Sequence, residues 1–251
     1  MLPYRWIIVG RRAARFALVT SLVGLAIARA AGGGAADPQT AMLERAVSED
    51  PEDLRSCADY RQRIIASGEY DRAIRLLERL ADRPGSGPNV YVSLALAYVD
   101  KVPVASPFRR IFLGRDAMRS LSRAIEREPS AVAYYIRGLI ALYYPDAIFH
   151  HARRGIADLE RVHGMLAGLT AQPSHALVYM SLGDGYWKVH DLARAVSVWT
   201  DGLKRFPANP ALRARLANRG VDLDRLVEHA LDPATRVDTS LQELFAPASA
   251  P

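Results

Sequence analysis

Between residues 174 and 209 the apolar and small positions fall at helical spacing in two blocks. Tyr179, Leu182, Gly183 and Tyr186 mark one stripe of a first helix, Ala195, Trp199 and Gly202 mark one stripe of a second, and Pro207 closes the pair. Intervals of three and four residues place such side chains on a common face. The same pattern recurs upstream. Residues 54–66 form a first helix, Gly68 a turn, and Tyr70, Ala73, Leu77 and Leu80 mark a second. After the chain break Pro84-Gly85-Ser86-Gly87-Pro88, Tyr91, Leu94, Ala95 and Tyr98 are followed by Ala117, Leu121, Ala124 and Pro129. Next, Tyr134, Gly138 and Ala141 are followed by Ala157, Arg161 and Gly164. A lone helix opens the series at Asp37-Pro38, an N-cap residue and a proline at the first helical position.

The residues from 174 to 209 resemble the tetratricopeptide repeat. Gly183 and Ala195 are the small residues that let two antiparallel helices approach, while Tyr179, Leu182, Tyr186 and Trp199 fill the space between them and toward the next unit. The resemblance covers residues 37–209. It implies an all-α fold, a right-handed α-solenoid of tetratricopeptide-like antiparallel helix pairs, completed by C-terminal capping helices. Two departures stand out. Arg61 replaces the small residue of the first pair, so that pair is expected to pack less closely. The second and third pairs carry extra residues in their turns, at 102–114 and 143–154. Asn209-Pro210 starts one further helix and residues 221–231 form another, and the two suit a polar end cap. Residues 210–245 are thus read as capping and groove-packing segments, and 246–251 as a tail.

For function, the resemblance implies binding without catalysis and without a cofactor. In this family the inner groove is lined by first-helix residues not used within the pair. Those positions are Val92, Leu96 and Val99, then Tyr135, Leu139 and Leu142, then Met180, Asp184 and Trp187. Such a surface is mostly apolar. Only Lys188 and Arg137 lie near it, which argues against a clamp for a C-terminal carboxylate. It would hold a protein or peptide partner, an apolar small molecule or acyl chain in a role accessory to transport, or the chain's own Val237, Leu241, Leu244 and Phe245. The second candidate is an edge. Both extra segments leave their units at the same corner, so stacking should bring them together. One offers Phe108, Arg109, Arg110 and Phe112; the other offers Tyr143, Tyr144, Phe149, His150 and His151. Aromatic and arginine side chains concentrate binding energy at protein interfaces. The competing reading has these aromatics packing the loops down.

Composition adds limits. The chain has 251 residues, half of them apolar, enough for a substantial core. Its net charge of +6 suggests nucleic acid, but residues 1–30 hold five arginines and no acid, which leaves +1 on the rest. A nucleic-acid surface needs concentrated positive charge. Arg5, Arg11, Arg12 and Arg15, the apolar run 16–27 and Ala28-Arg29-Ala30 read as a signal peptide cleaved after Ala30, followed by a flexible linker at 31–36. The expected location is the periplasm or cell exterior, with no stable membrane span after cleavage; the alternative is an N-terminal anchor. Cys57 is the single cysteine and excludes an intrachain disulfide. His150, His151 and His163 lack carboxylates at metal-site spacing beyond Asp158, so no metal is expected. Gly183-Asp184-Gly185 lies within a helix, where a phosphate loop cannot form.

Overall fold

The computed structural model describes residues 37–144, 151–232 and 239–241. The leader and linker, Phe149, His150, Val237, Leu244 and Phe245 lie outside the described residues.

Eleven α-helices follow one another without a strand among the described residues. After α1 (Pro38–Glu49) come the pairs α2/α3 (Leu54–Ser67, Tyr70–Ala81), α4/α5 (Pro88–Lys101, Pro107–Arg127), α6/α7 (Ala131–Tyr143, His151–Leu166) and α8/α9 (Ala176–Lys188, Leu192–Arg205). Two shorter helices, α10 (Pro210–Ala217) and α11 (Gly220–Ala230), end the described series. Local chemistry sets the boundaries. The carboxylate of Asp37 accepts from the backbone of Thr40 at 3.3 Å to cap α1, and Asn209 accepts from Leu212 at 2.9 Å to cap α10. Gly68, at φ 75°, ends α2 in the left-handed conformation that allows the short turn into α3. Glu52 reaches forward to the start of α4, where Asn89 and Val90 donate to its carboxylate at 2.8 and 3.2 Å.

Within each later pair small residues permit close crossing. A Cβ on Gly183 would lie 2.2 Å from the Trp199 indole nitrogen, and one on Gly155 would lie 2.7 Å from the Gly138 carbonyl. Trp199 and Ala195 are fully buried; Tyr179, Leu182 and Tyr186 nearly so. Pro207 sits exposed in the turn after α9. A buried leucine or aromatic of this kind contributes about 1.5–3 kcal/mol relative to exposure. The α2/α3 pair has the least extensive contact of the four, and α2 leans equally on α4. In this pair a long side chain, Arg61, occupies the place held by Ala95, Gly138 and Gly183 in the other pairs.

Two expectations change. The extra segment 102–114 is not a loop: a 3-10 turn over Val102–Val104 leads into Pro107, and α5 runs unbroken for 21 residues. Proline at the first turn starts a helix, and no further proline comes until Pro129. The groove positions also change. Val92 and Leu96 are 0% and 3% exposed, Leu142 is 0%, and Asp184 is 3%. They are core rather than free surface. α4 touches α2, α3 and α5, and α8 touches α6, α7, α9 and α10, so these helices are covered around most of their circumference, as helices apolar all round must be.

Candidate functional site

The edge at the start of α5 is the most exposed apolar feature among the described residues. Val104, Phe108, Ile111 and Phe112 are 61%, 73%, 53% and 39% exposed. The expectation that such aromatics pack the segment down fails here, because three of the four stand on the outer face of a helix rather than in a loop. They are nevertheless ordered by each other. Phe108 and Phe112, one helical turn apart, meet edge to face at 5.0 Å, and the Arg115 guanidinium lies 5.0 Å over the Phe112 ring. Arg110 folds back to hold the preceding turn, donating to the Ala105 and Pro103 carbonyls at 3.0 and 3.3 Å. Arg109 is exposed beside them. From Lys101 to Arg115 the chain carries Lys101, Arg109, Arg110 and Arg115 and no acid.

The two extra segments touch. Any side chain at Gly114 of α5 would collide with the Tyr144 hydroxyl, which a Cβ there would approach to 2.0 Å. Tyr144 in turn lies against the His151 ring at 5.0 Å. Burial raises the pKa of Tyr143 and Tyr144, which stay neutral phenols. Lys188 of α8 joins this corner by donating to the Leu142 and Tyr144 carbonyls, the latter at 2.8 Å. Arg137 is engaged elsewhere, in a fork on Asp158 at 2.7 and 2.8 Å.

On the groove face, Val99, Tyr135, Leu139, Met180 and Trp187 remain half-buried, and other parts of the chain lie on it. Trp187 donates its indole N–H to Asp224 of α11 at 3.1 Å. Asp184 receives a fork from Arg215 of α10, both bonds 2.6 Å. Burial raises the pKa of Asp184, and the guanidinium opposes that rise. At the other end, Arg61 of α2 donates to Asp100 of α4 at 3.0 Å and to the Thr239 carbonyl at 2.7 Å. Arg61 stands out in the sequence as a departure from the repeat, but its role as a partner of Asp100 and Thr239, and the roles of Asp100 and Arg215, escape a reading of sequence alone. Their one signal is charge at positions where helical spacing calls for apolar or small side chains.

Two open clefts accompany these features. One, of about 430 Å³, lies between α5, α6 and α7 and includes Arg137, Arg154, Asp158 and Arg161. The other, of about 210 Å³, is lined by Arg153, Glu160, Tyr186, Asp191 and Arg194. Both are charged. Among the described residues no three His, Cys, Asp or Glu side chains gather as a metal site, and no helix is long and apolar enough to cross a membrane. Burial pushes the Cys57 thiol up to about 11, which leaves it unreactive at neutral pH.

No protein-family model matches the chain, and no curated protein does. Among solved structures it is similar to TTC0263, a thermophilic TPR protein of Thermus thermophilus, with 23% identity and a TM-score of 0.52 over 71% of this chain and 87% of that one. It is also similar to MamA in two crystal structures. One has 20% identity and a TM-score of 0.47 over 67% and 86% of the two chains. The other has 18% identity and a TM-score of 0.46 over 72% and 86%. The likeness to TTC0263 agrees with the helix order above: the fold is an all-α solenoid of tetratricopeptide type.

Proposed function

We propose that this protein is a non-catalytic scaffold of the cell envelope that holds a protein partner at the edge made by the start of α5 and the end of α6. The observation that carries the reading is the exposed strip Val104, Phe108, Ile111 and Phe112 beside Arg109. Contiguous apolar side chains on a surface mark an interaction site, and aromatics with arginine are the residues on which interface energy concentrates. Phe108 packs on Phe112 and Arg115 lies over the Phe112 ring, and such contacts restrict the side chains and lower the entropy lost on docking. A protein surface fits better than an acyl chain, because the groove positions Val92, Leu96 and Leu142 are packed. The envelope location rests on the arginine-rich apolar leader alone.

Site-specific photo-crosslinking from position 108 in intact cells tests the proposal. The expected result is one discrete protein adduct that disappears in an Arg109→Ala, Phe112→Ala double variant whose melting temperature is unchanged. Adducts to lipid only, or a double variant that melts lower and crosslinks as before, would overturn it.

A further inference from the structure

We infer that Arg61 and Asp100 form a peptide-binding site for a short, bent segment bearing a hydroxyl residue and, two positions on, an apolar one, and that residues 239–241 of the same chain occupy it as a built-in ligand. The site uses none of the edge residues above, so the two readings stand or fall separately.

Its walls are two side chains from different helices, Arg61 and Asp100, with only 1% and 5% of their surface exposed. The guanidinium donates to one carboxylate oxygen of Asp100 at 3.0 Å. The segment 239–241 supplies the rest. The Thr239 carbonyl accepts from Arg61 at 2.7 Å, and the Thr239 hydroxyl donates to the second oxygen of Asp100. Thr239 and Ser240 are 3% and 8% exposed, although they belong to no helix. Leu241 packs against the core cluster built from α1 to α6. One backbone carbonyl, one hydroxyl and one apolar side chain make all of these contacts, and none requires that the segment belong to this chain.

Two observations mark the segment as a replaceable ligand rather than ordinary core. Arg61 Nε is buried and has no hydrogen-bond partner in the chain, so the site offers one donor more than its occupant uses. Buried donors are nearly always satisfied, and an orphan calls for an explanation. Leu241 sits at φ 59°, a left-handed conformation that leucine avoids. The built-in segment is therefore held with a donor unmet and its backbone strained, which a better-fitting peptide in trans would relieve.

The test uses the full chain and a fluorescein-labelled synthetic peptide spanning residues 236–245, read by fluorescence anisotropy. A Thr239→Ala, Leu241→Ser double variant loosens the built-in segment, and it should bind the peptide about ten-fold or more tighter than the unaltered chain does, because self-competition is relieved. A peptide carrying the same two changes should lose binding, and Asp100→Asn added to the double variant should weaken it. Equal affinity for the two proteins, or no binding to a double variant with unchanged helical circular dichroism, would overturn the inference. So would a double variant that loses its helical signal, since the segment would then be part of the fold and not a ligand.

Discussion

Two buried arginine–aspartate pairs occupy the two ends of the stack, and they are closed in different ways. At the C-terminal end Arg215 and Asp184 meet through two bonds of 2.6 Å, and a third nitrogen of Arg215 donates to the Ala211 carbonyl of its own helix at 3.1 Å. Every nitrogen of that guanidinium has a partner, and all partners lie on α8 and α10. At the N-terminal end Arg61 meets Asp100 through one bond, takes a second partner 178 residues away in sequence, and keeps one nitrogen unmet. Burial of charge is the same; the means of satisfying it is not. A pair satisfied by its own helices locks a cap to a repeat. A pair that relies on a short distant segment has the makings of a binding site.

The largest effect expected from this contrast comes from Arg215→Ala. It leaves Asp184 buried without its partner, which costs about 3–5 kcal/mol. Thermal melting should fall, and hydrogen exchange should show α10 and α11 losing protection while α2 and α4 keep theirs. Equal loss in α2 would erase the distinction between the two ends.

Next in size is Gly183→Leu. The side chain would enter the Trp199 ring, and overpacking of a tight crossing costs about 1–3 kcal/mol. The loss should again be confined to the last pair and its cap, read as lowered exchange protection in α8 and α9. An unchanged midpoint would mean that the C-terminal half owes its cohesion to the ion pair alone.

The smallest effect sharpens the N-terminal side. There α1 is tied to α3 by Arg72, which bonds Glu44 at 2.7 and 2.9 Å with both side chains about a quarter exposed. The guanidinium holds the Glu44 carboxyl below its usual range. A lowered folded pKa gives stability that is complete above the unfolded value, near 4.3 for glutamate, and is lost as pH falls through the folded one. Arg72→Met should thus cost about 0.5–1 kcal/mol at neutral pH, and this penalty should shrink below about pH 4. Urea unfolding at both pH values checks it; a penalty that does not change with pH would assign the loss to packing instead.

Much of the fold was legible because helix pairs advertise themselves locally. Tyr179, Leu182 and Trp199 recur at helical spacing, Gly183 and Gly202 mark close crossings, and Asp37-Pro38 and Asn209-Pro210 announce helix starts whose caps the structure contains. The candidate edge was legible in part. Its residues were visible as aromatics among arginines, but the segment reads as a loop until Pro107 is seen to open a continuous helix that turns Phe108 and Ile111 outward. The groove was the least legible. Val92, Leu96 and Leu142 carry the expected apolar character at the expected positions, yet apolar character is the same whether a side chain faces water, a ligand or a neighbouring helix.

The sequence by itself determined the helical type and pairing of the described elements from α2 to α9, the small residues that set their crossings and the place where the pattern is interrupted. These depend on interactions between residues a few positions apart, or on a repeat copied along the chain. Only the tertiary structure decided that Arg61 belongs with Asp100 and Thr239, that Asp184 belongs with Arg215, and that Tyr144 rests on Gly114. Those contacts join residues 30 to 178 positions apart, and no periodicity links them. A buried charge chooses its partner by where the folded chain brings an opposite charge within about 3 Å, so its role becomes readable only once the helices are stacked.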